Sequence, residues 1–406
     1  MNCRLCNSNK LNEYLNLGFT PPSDQFLRKD QLSYSENYYP LAVNLCMDCG
    51  LSQLSYIVSP EILYRNDYPY ESSITKTGNV HWEKFAEHTV KKFSLGKKDL
   101  VVDIGSNVGT LLSKFKNFDT KVYGVDPAAN IVMKAINNGI DTECDFFNFE
   151  VVEKILMKKG EASVITCTNC FAHIDNLNEL VQNVKKLLNR NGVFIFESPH
   201  IKNLIEKIEY DTIYHEHLSY LSLKPLINFF KTHGLEVFDV INTDIHGGSF
   251  RVFIGNTGEY KVSSNVTDFI KEEEDLKVFD FNFLKSFQIK VDKNKQDLVT
   301  LLYDLKLKGK KIAAVSAPAK GMTLLNYCKI DESLIDFVTE KSELKIGRYT
   351  PGQHIPVVPD NKLIEKEIDY ALILAWNFSS EIMSNLKDYK DRGGKFIIPI
   401  PHPKIL

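Results

Sequence analysis

No apolar run in the sequence is long enough to cross a bilayer, which excludes a transmembrane helix. The first residues, with a cysteine at position 3, lack the order of a secretory leader, so a cytoplasmic location is expected. Charge of one sign is equally scarce. With 49 Lys and Arg against 52 Asp and Glu, the net charge of −3 offers a polyanion such as RNA or DNA no electrostatic footing. Neither Gly-x-Gly-x-x-Gly nor the phosphate loop of NTP-hydrolysing enzymes occurs, and no internal repeat or low-complexity tract is visible. What remains is a 406-residue chain of ordinary globular composition, too long for one core, so two or three domains are expected.

Eight cysteines in a chain without an export signal point to thiols or metal ligands, not disulfides. Four of them form two Cys-x-x-Cys pairs, Cys3/Cys6 and Cys46/Cys49. Each pair is a turn whose thiolates converge on one ion, and two such turns complete a tetrahedral zinc site. With four sulfur ligands no position is left for water, so the zinc is expected to be structural. The alternating Leu41, Val43 and Leu45 and the Pro21-Pro22 pair suggest a small β subdomain between the two turns.

The most informative stretch is Leu100-Val101-Val102-Asp103-Ile104-Gly105-Ser106-Asn107-Val108-Gly109. It reads as a buried parallel strand running through a tight turn into a helix that carries Leu111, Leu112 and Phe115. Gly105 and Gly109 are expected to let a ligand approach the backbone closely. The next strand, from Lys121, ends in Asp126, where nucleotide-binding folds place an acid on ribose hydroxyls. Asp103 would repel a pyrophosphate but suits an amino group. S-adenosylmethionine (SAM) has a ribose, a sulfonium and an amino group, and no phosphate, so it fits this turn better than NAD. Asp103, Gly105, Asn107, Gly109, Asp126, Asp145 and Asn169 are the expected cofactor residues.

An aromatic stretch, Tyr64 to Ser73, precedes this domain and reads as a linker or lid. Further strands are expected at Ala162–Thr166 and Gly192–Glu197, with His173 just beyond the carboxyl end of the first. The run Tyr214-His215-Glu216-His217 gathers titratable groups densely. Read as an extended segment, it offers a ligand either a Tyr/Glu or a His/His face. A bend with two glycines, His246-Gly247-Gly248, follows. Residues 264–308 read as a solvated pair of connecting helices. Beyond them lies a second α/β pattern with strands at 311–315, 334–338, 355–358, 370–375 and 395–398. Lys320 at its first turn, joined by Arg348, makes a candidate anion site.

In this order the segments resemble the C-methyltransferases of deoxysugar pathways, across nearly the whole chain. The resemblance rests on the paired Cys-x-x-Cys, the aromatic lid, the glycine turn, Phe171-Ala172-His173-Ile174-Asp175, and the run from Tyr214 through Ser222. It extends to His246-Gly247-Gly248-Ser249, Ala317-Pro318-Ala319-Lys320-Gly321, Gly347-Arg348-Tyr349-Thr350-Pro351-Gly352 and Ala375-Trp376-Asn377-Phe378. It implies an α/β protein of three parts: a zinc-binding domain and lid (1–72), a class I, Rossmann-like SAM methyltransferase domain (73–263), and connecting helices with a second α/β domain that holds the nucleotide (264–406). It implies methylation at C3 of a nucleotide-linked 4-keto-6-deoxysugar, with His217 as base, and Tyr214, Glu216, His173 and either Tyr68 or Tyr70 near the sugar. Lys320, Arg348 and His246 would hold the nucleotide. A monomer without nucleic-acid or membrane partners is expected. The alternatives are an O- or N-methyltransferase of the same build, a zinc-containing NAD enzyme, and a nucleic-acid methyltransferase.

Overall fold

The computed structural model describes residues 1–64, 68–69, 71–72 and 76–406. The chain begins with an antiparallel meander of β1 (Leu11–Thr20), β2 (Tyr39–Cys46) and β3 (Ser52–Leu54). One face alternates inward through Leu41, Val43 and Leu45, all buried, as the sequence pattern predicts.

The central sheet is built from β4 (Leu100–Ile104), β5 (Lys121–Val125), β6 (Thr142–Glu143), β7 (Ala162–Thr168) and β8 (Leu188–Pro199), all parallel to their neighbours. The chain then leaves it. Its next strand, β9 (Ser219–Tyr220), pairs with β3 of the first lobe. It returns through β10 (Leu235–Thr243) and β11 (Ser249–Asn256) to complete the order β10-β11-β8-β7-β4-β5-β6, with β11 antiparallel to both neighbours. This is the class I methyltransferase sheet. Every residue of β4 is buried, because helices cover both faces of the sheet. The strand order reverses between β4 and its flanking strands, so the glycine turn after β4 sits at the switch point where such sheets bind ligands.

The last sheet has β12 (Ile312–Val315), β13 (Val338–Glu340), β14 (Val357–Pro359), β15 (Tyr370–Ile373), β16 (Lys395–Ile398) and β17 (Lys404–Ile405). Its order is β14-β13-β12-β15-β16-β17, parallel except for β17.

Several expectations are corrected. The helix Phe281–Leu307 is no solvated connector: Leu284, Phe287, Val291, Leu298, Leu302 and Leu305 form a buried stripe at coiled-coil spacing. That stripe joins Leu15 and Leu17 of the lobe to Leu325 and Ile335 of the last domain in one core. Each such side chain contributes about 1.5–3 kcal/mol of burial, enough to override the charged flanks. The second strand of the last sheet, β13, begins at Val338, where it was expected to end; Leu334 and Ile335 are buried in the turn before it. The helix Lys76–Phe93 and the strand β10 went unread.

Candidate active site

The four cysteine sulfurs of the first lobe lie within 4.8 Å of one another. Cys3 and Cys49 are 3.5 Å apart and Cys6 and Cys46 3.6 Å. Thiolates at zinc–sulfur distances of about 2.3 Å on a tetrahedron stand about 3.8 Å apart, so the set fits one zinc ion. Arg4, inside the first knuckle, is buried and turns inward. Its Nη1 donates to the carbonyls of Leu218 (3.1 Å) and Leu54 (3.4 Å), and its Nε to Asp175 Oδ1 (3.1 Å). A metal knuckle thus grips the chain one residue after His217 and two after His173.

At the switch point, Gly105 and Gly109 have φ of +71° and +78°, which glycine adopts without strain. Packing gives both glycines a second reason beside the expected approach of a ligand. A Cβ at Gly105 would stand 2.7 Å from Cys170 Sγ, and one at Gly109 2.7 Å from Ile140 Cγ1, so packing within the chain demands both glycines. Asp126 accepts from the Asn107 and Ala128 amides, each at 2.9 Å, which ties the turn to β5. Asn107 Oδ1 accepts from the Ser72 amide at 2.9 Å. Asp103 accepts from Thr166 Oγ1 at 2.6 Å, and burial, with Asp126 nearby, pushes its carboxyl up to about 7. Asp145 lies beyond the end of β6 with Oδ1 accepting from the Phe146 amide. Asn169 Oδ1 and Ser106 Oγ are buried with no hydrogen-bond partner among the described residues. Acceptors around a phosphate-free turn fit the amino and hydroxyl groups of SAM. When bound, SAM supplies a methyl group on a positive sulfur.

The segment Tyr210 to His217 is not extended, which corrects the alternation expected for Tyr214 to His217. It opens with a 3₁₀ turn (Tyr210–Thr212) and folds back, the His217 amide bonding to the Tyr214 carbonyl. The two histidines therefore part. His215 is buried against Tyr39, with the Tyr39 and Pro40 backbone beside its ring. Burial lowers its pKa to about 4. His217 instead stacks on Tyr214, ring centroids 4.0 Å apart, and lies 5.0 Å from the His173 ring. Its Nδ1 donates to the Thr212 carbonyl at 2.7 Å. That bond puts a hydrogen on Nδ1, so in the neutral tautomer the lone pair is on Nε2.

Tyr68 donates to Glu216 Oε2 at 3.1 Å and packs against Val108, Ala128 and Ile131, so it bridges the cofactor turn and the His217 loop. Burial, with Asp24 close by, pushes the Glu216 carboxyl well above the usual range. Tyr70 lies outside the described residues. Tyr64, missed by the sequence reading, stacks on His173 with Oη 3.3 Å from Nδ1. Its only sequence signal was membership of the aromatic stretch.

Lys320, the expected anion-binding group, already has a carboxylate near it, though its buried Nζ makes no hydrogen bond among the described residues. Its Nζ is 3.5 Å from the buried Asp211 Oδ2 and 4.0 Å above the Trp376 ring, while Trp376 Nε1 donates to the same oxygen at 2.7 Å. Arg348 lies on a different segment, beside the Leu27–Tyr349 bridge to the first lobe. The side chain of His246 lies outside the described residues; its turn borders a cleft of about 570 Å³ that is also lined by Lys202, Asn203, Lys207, Trp376 and Asn377.

Aligned over 405 residues, the chain is 33% identical to the C-methyltransferase NovU of Streptomyces niveus, covering 100% of this chain and 96% of that one. The chain belongs to the C-methyltransferase family. Family models for a zinc binding domain, a methyltransferase domain and a C-methyltransferase C-terminal domain match residues 3–64, 80–240 and 244–401 of this C-methyltransferase. Among solved structures, it is similar to a SAM-dependent methyltransferase from Clostridium acetobutylicum (15% identity, 44% of this chain, 92% of that chain, TM-score 0.35). It is also similar to magnesium protoporphyrin IX methyltransferase from Synechocystis (12% identity, 48% and 92%, TM-score 0.36). No described helix of this C-methyltransferase is long and apolar enough to cross a membrane.

Proposed function

We propose that this C-methyltransferase methylates C3 of a nucleotide-linked 4-keto-6-deoxysugar. The observation that carries the reading is the half-buried His217 imidazole, whose Nδ1 donates to the Thr212 carbonyl and whose ring lies against His173, on the loop that Tyr68 joins to the cofactor turn. A neutral imidazole is the side chain best matched to removing a proton near pH 7. The 4-keto group acidifies C3–H, so His217 takes that proton and leaves an enolate. Burial holds His173 neutral, its pKa lowered to about 4, and it stands ready to donate to the O4 oxyanion. Tyr68 and Glu216 close the pocket from the lid side. With His217 on one face of C3, the opposite face accepts the methyl and configuration inverts. The nucleotide takes the cleft near Trp376, with His246 in its bordering turn. Asp211 already balances the Lys320 charge, so Lys320 serves there by positioning Trp376 and not as a bare cation. Binding so far from C3 supplies orientation.

The test is hydrogen exchange. Incubated in D₂O with SAM omitted, the enzyme should wash deuterium into C3 of a suitable 4-keto sugar nucleotide, and His217→Asn should not. Methyl transfer to the substrate without any exchange in the wild type would favour O- or N-methylation instead.

A further inference from the structure

Two imidazoles lie side by side here, ring centroids 5.0 Å apart, and the reaction asks opposite things of them. One must accept a proton and the other must donate a hydrogen bond. Resting on the function proposed above, we propose that Tyr64 is a positioning residue that fixes His173 as the Nε2–H tautomer, opposite in sense to His217. The pair then presents one lone pair and one N–H to the same substrate.

The sense of His217 is set by an acceptor. The Thr212 carbonyl can only receive, so Nδ1 carries the hydrogen and Nε2 the lone pair. His173 meets a group of the other kind: its Nδ1 faces the Tyr64 hydroxyl at 3.3 Å. Burial keeps that phenol protonated, its pKa raised well above the usual value with Glu216 adding to the effect. Burial also keeps the His173 ring neutral. Between a neutral phenol and a neutral imidazole, the phenol is the better acid and so the better donor. Its O–H donates to Nδ1, which places the His173 hydrogen on Nε2. The reverse arrangement would strand the phenolic proton in a buried site. It would also leave two lone pairs on rings 5.0 Å apart and no imidazole donor for O4. Tyr64 holds the ring plane as well, lying 16° from parallel with centroids 6.2 Å apart. Tyr64 ends the short helix Pro60–Tyr64, which anchors it through the buried Leu63.

The experiment is ¹⁵N NMR of the full-length protein labelled at histidine, where pyridine-type and pyrrole-type nitrogens resolve. His173 is expected to show a pyridine-type Nδ1 and pyrrole-type Nε2, and His217 the reverse. Tyr64→Phe should blur the His173 pattern into a tautomer mixture while leaving His217 unchanged. Since a lost oxyanion donor costs about 10²–10³ in kcat and a mixture keeps part of it, kcat should fall about tenfold, with KM for both substrates within about twofold. Placed in a His173→Gln background, the same change should cost less than about twofold, because the ring it acts on is gone. A protonated Nδ1 on wild-type His173, or an equal loss in both backgrounds, overturns the assignment. Failure of the function reading would look different: no C3 exchange with any 4-keto sugar nucleotide, whatever the tautomers.

Discussion

Arg4 lies between two metal-binding cysteines, yet its side chain serves the catalytic loop. Replacing it with Met keeps the apolar stem and removes only the guanidinium. The bond to Leu218 O at 3.1 Å is the valuable one, since a charged donor to a buried carbonyl is worth about 1.5–3 kcal/mol. The contact to Leu54 O, at 3.4 Å, is weaker. Asp175 is half exposed, so water screens that pair to under about 1 kcal/mol. Two terms offset the loss: Leu218 O still accepts from the Leu54 amide at 2.9 Å, and the cost of burying the guanidinium, which lowers its pKa, disappears. The net is about 1–2 kcal/mol.

That loss falls on two places, the residue after His217 and the residue two after His173. A displacement of either imidazole by about 1 Å costs about 10²-fold in rate. Arg4→Met should therefore lower kcat ten- to hundredfold. SAM affinity should hold, because Asp126, Asn107 and the glycine turn are secured by other bonds. Zinc content should hold too, since the Arg4 amide keeps its bond to Gln53 Oε1 at 2.9 Å. Methyl-transfer kinetics, SAM titration and metal analysis on the same preparation decide the matter. A kcat within twofold of wild type with zinc retained refutes the reasoning, and so does loss of zinc and activity together.

His217→Asn should cost about 10²–10⁴ in kcat while SAM still binds, read by turnover and calorimetry; near-normal turnover would remove it as base. Stripping zinc, by chelator or by Cys46→Ser, should melt the first lobe and with it β9, abolishing turnover; full activity in metal-free protein would contradict a structural role. The His215 pKa is lowered to about 4 in the folded protein, so the unfolded chain binds an extra proton between that value and about 6.5. Its contribution to stability is therefore lost as pH falls through that window. His215→Phe should gain on wild type by up to about 1.4 kcal/mol per pH unit over that range in urea titrations, and a pH-independent difference would refute this. Gly105→Ala should destabilise through both its +71° φ and its 2.7 Å approach to Cys170 Sγ, and Cys170→Ala should recover part of the loss, read by thermal melts; no recovery would mean that backbone strain alone is at work.

The elements most legible in the sequence were those whose pattern is local. The strands β4, β5 and β7 and the helix Leu177–Leu187 announce themselves by runs or periodicity, and the paired Cys-x-x-Cys by spacing alone. The helix Phe281–Leu307 carried its buried stripe at the expected period, but Lys and Asp between the apolar positions masked it. The error at His215 and His217 had a different cause. Strict alternation assumes an extended chain, whereas the turn closed by the His217 amide on the Tyr214 carbonyl gives the two rings different neighbours, Tyr39 and His173. The pairing of Lys320 could not be read, because its partner, Asp211, lies more than a hundred residues away in sequence. Contacts of that reach leave no local signature.

The same reach explains why the chain needs three parts around one loop. The C-terminal domain fixes Asp211 through Trp376 and Lys320, and the long helix fixes Tyr210 through Asn294 at 2.9 Å. Between these anchors and the lid bond from Tyr68 to Glu216 stands Thr212, whose carbonyl sets the tautomer of His217. The first lobe then closes the loop through Arg4 and the pairing of β3 with β9. Any ligand that shifts Trp376 must therefore act on Asp211, next to Thr212. Occupancy of the distant cleft and the aim of His217, the proposed base, are thus joined by one chain of contacts. A sugar without its nucleotide should accordingly lose kcat and not merely affinity, since the energy of remote binding is spent on orientation at C3.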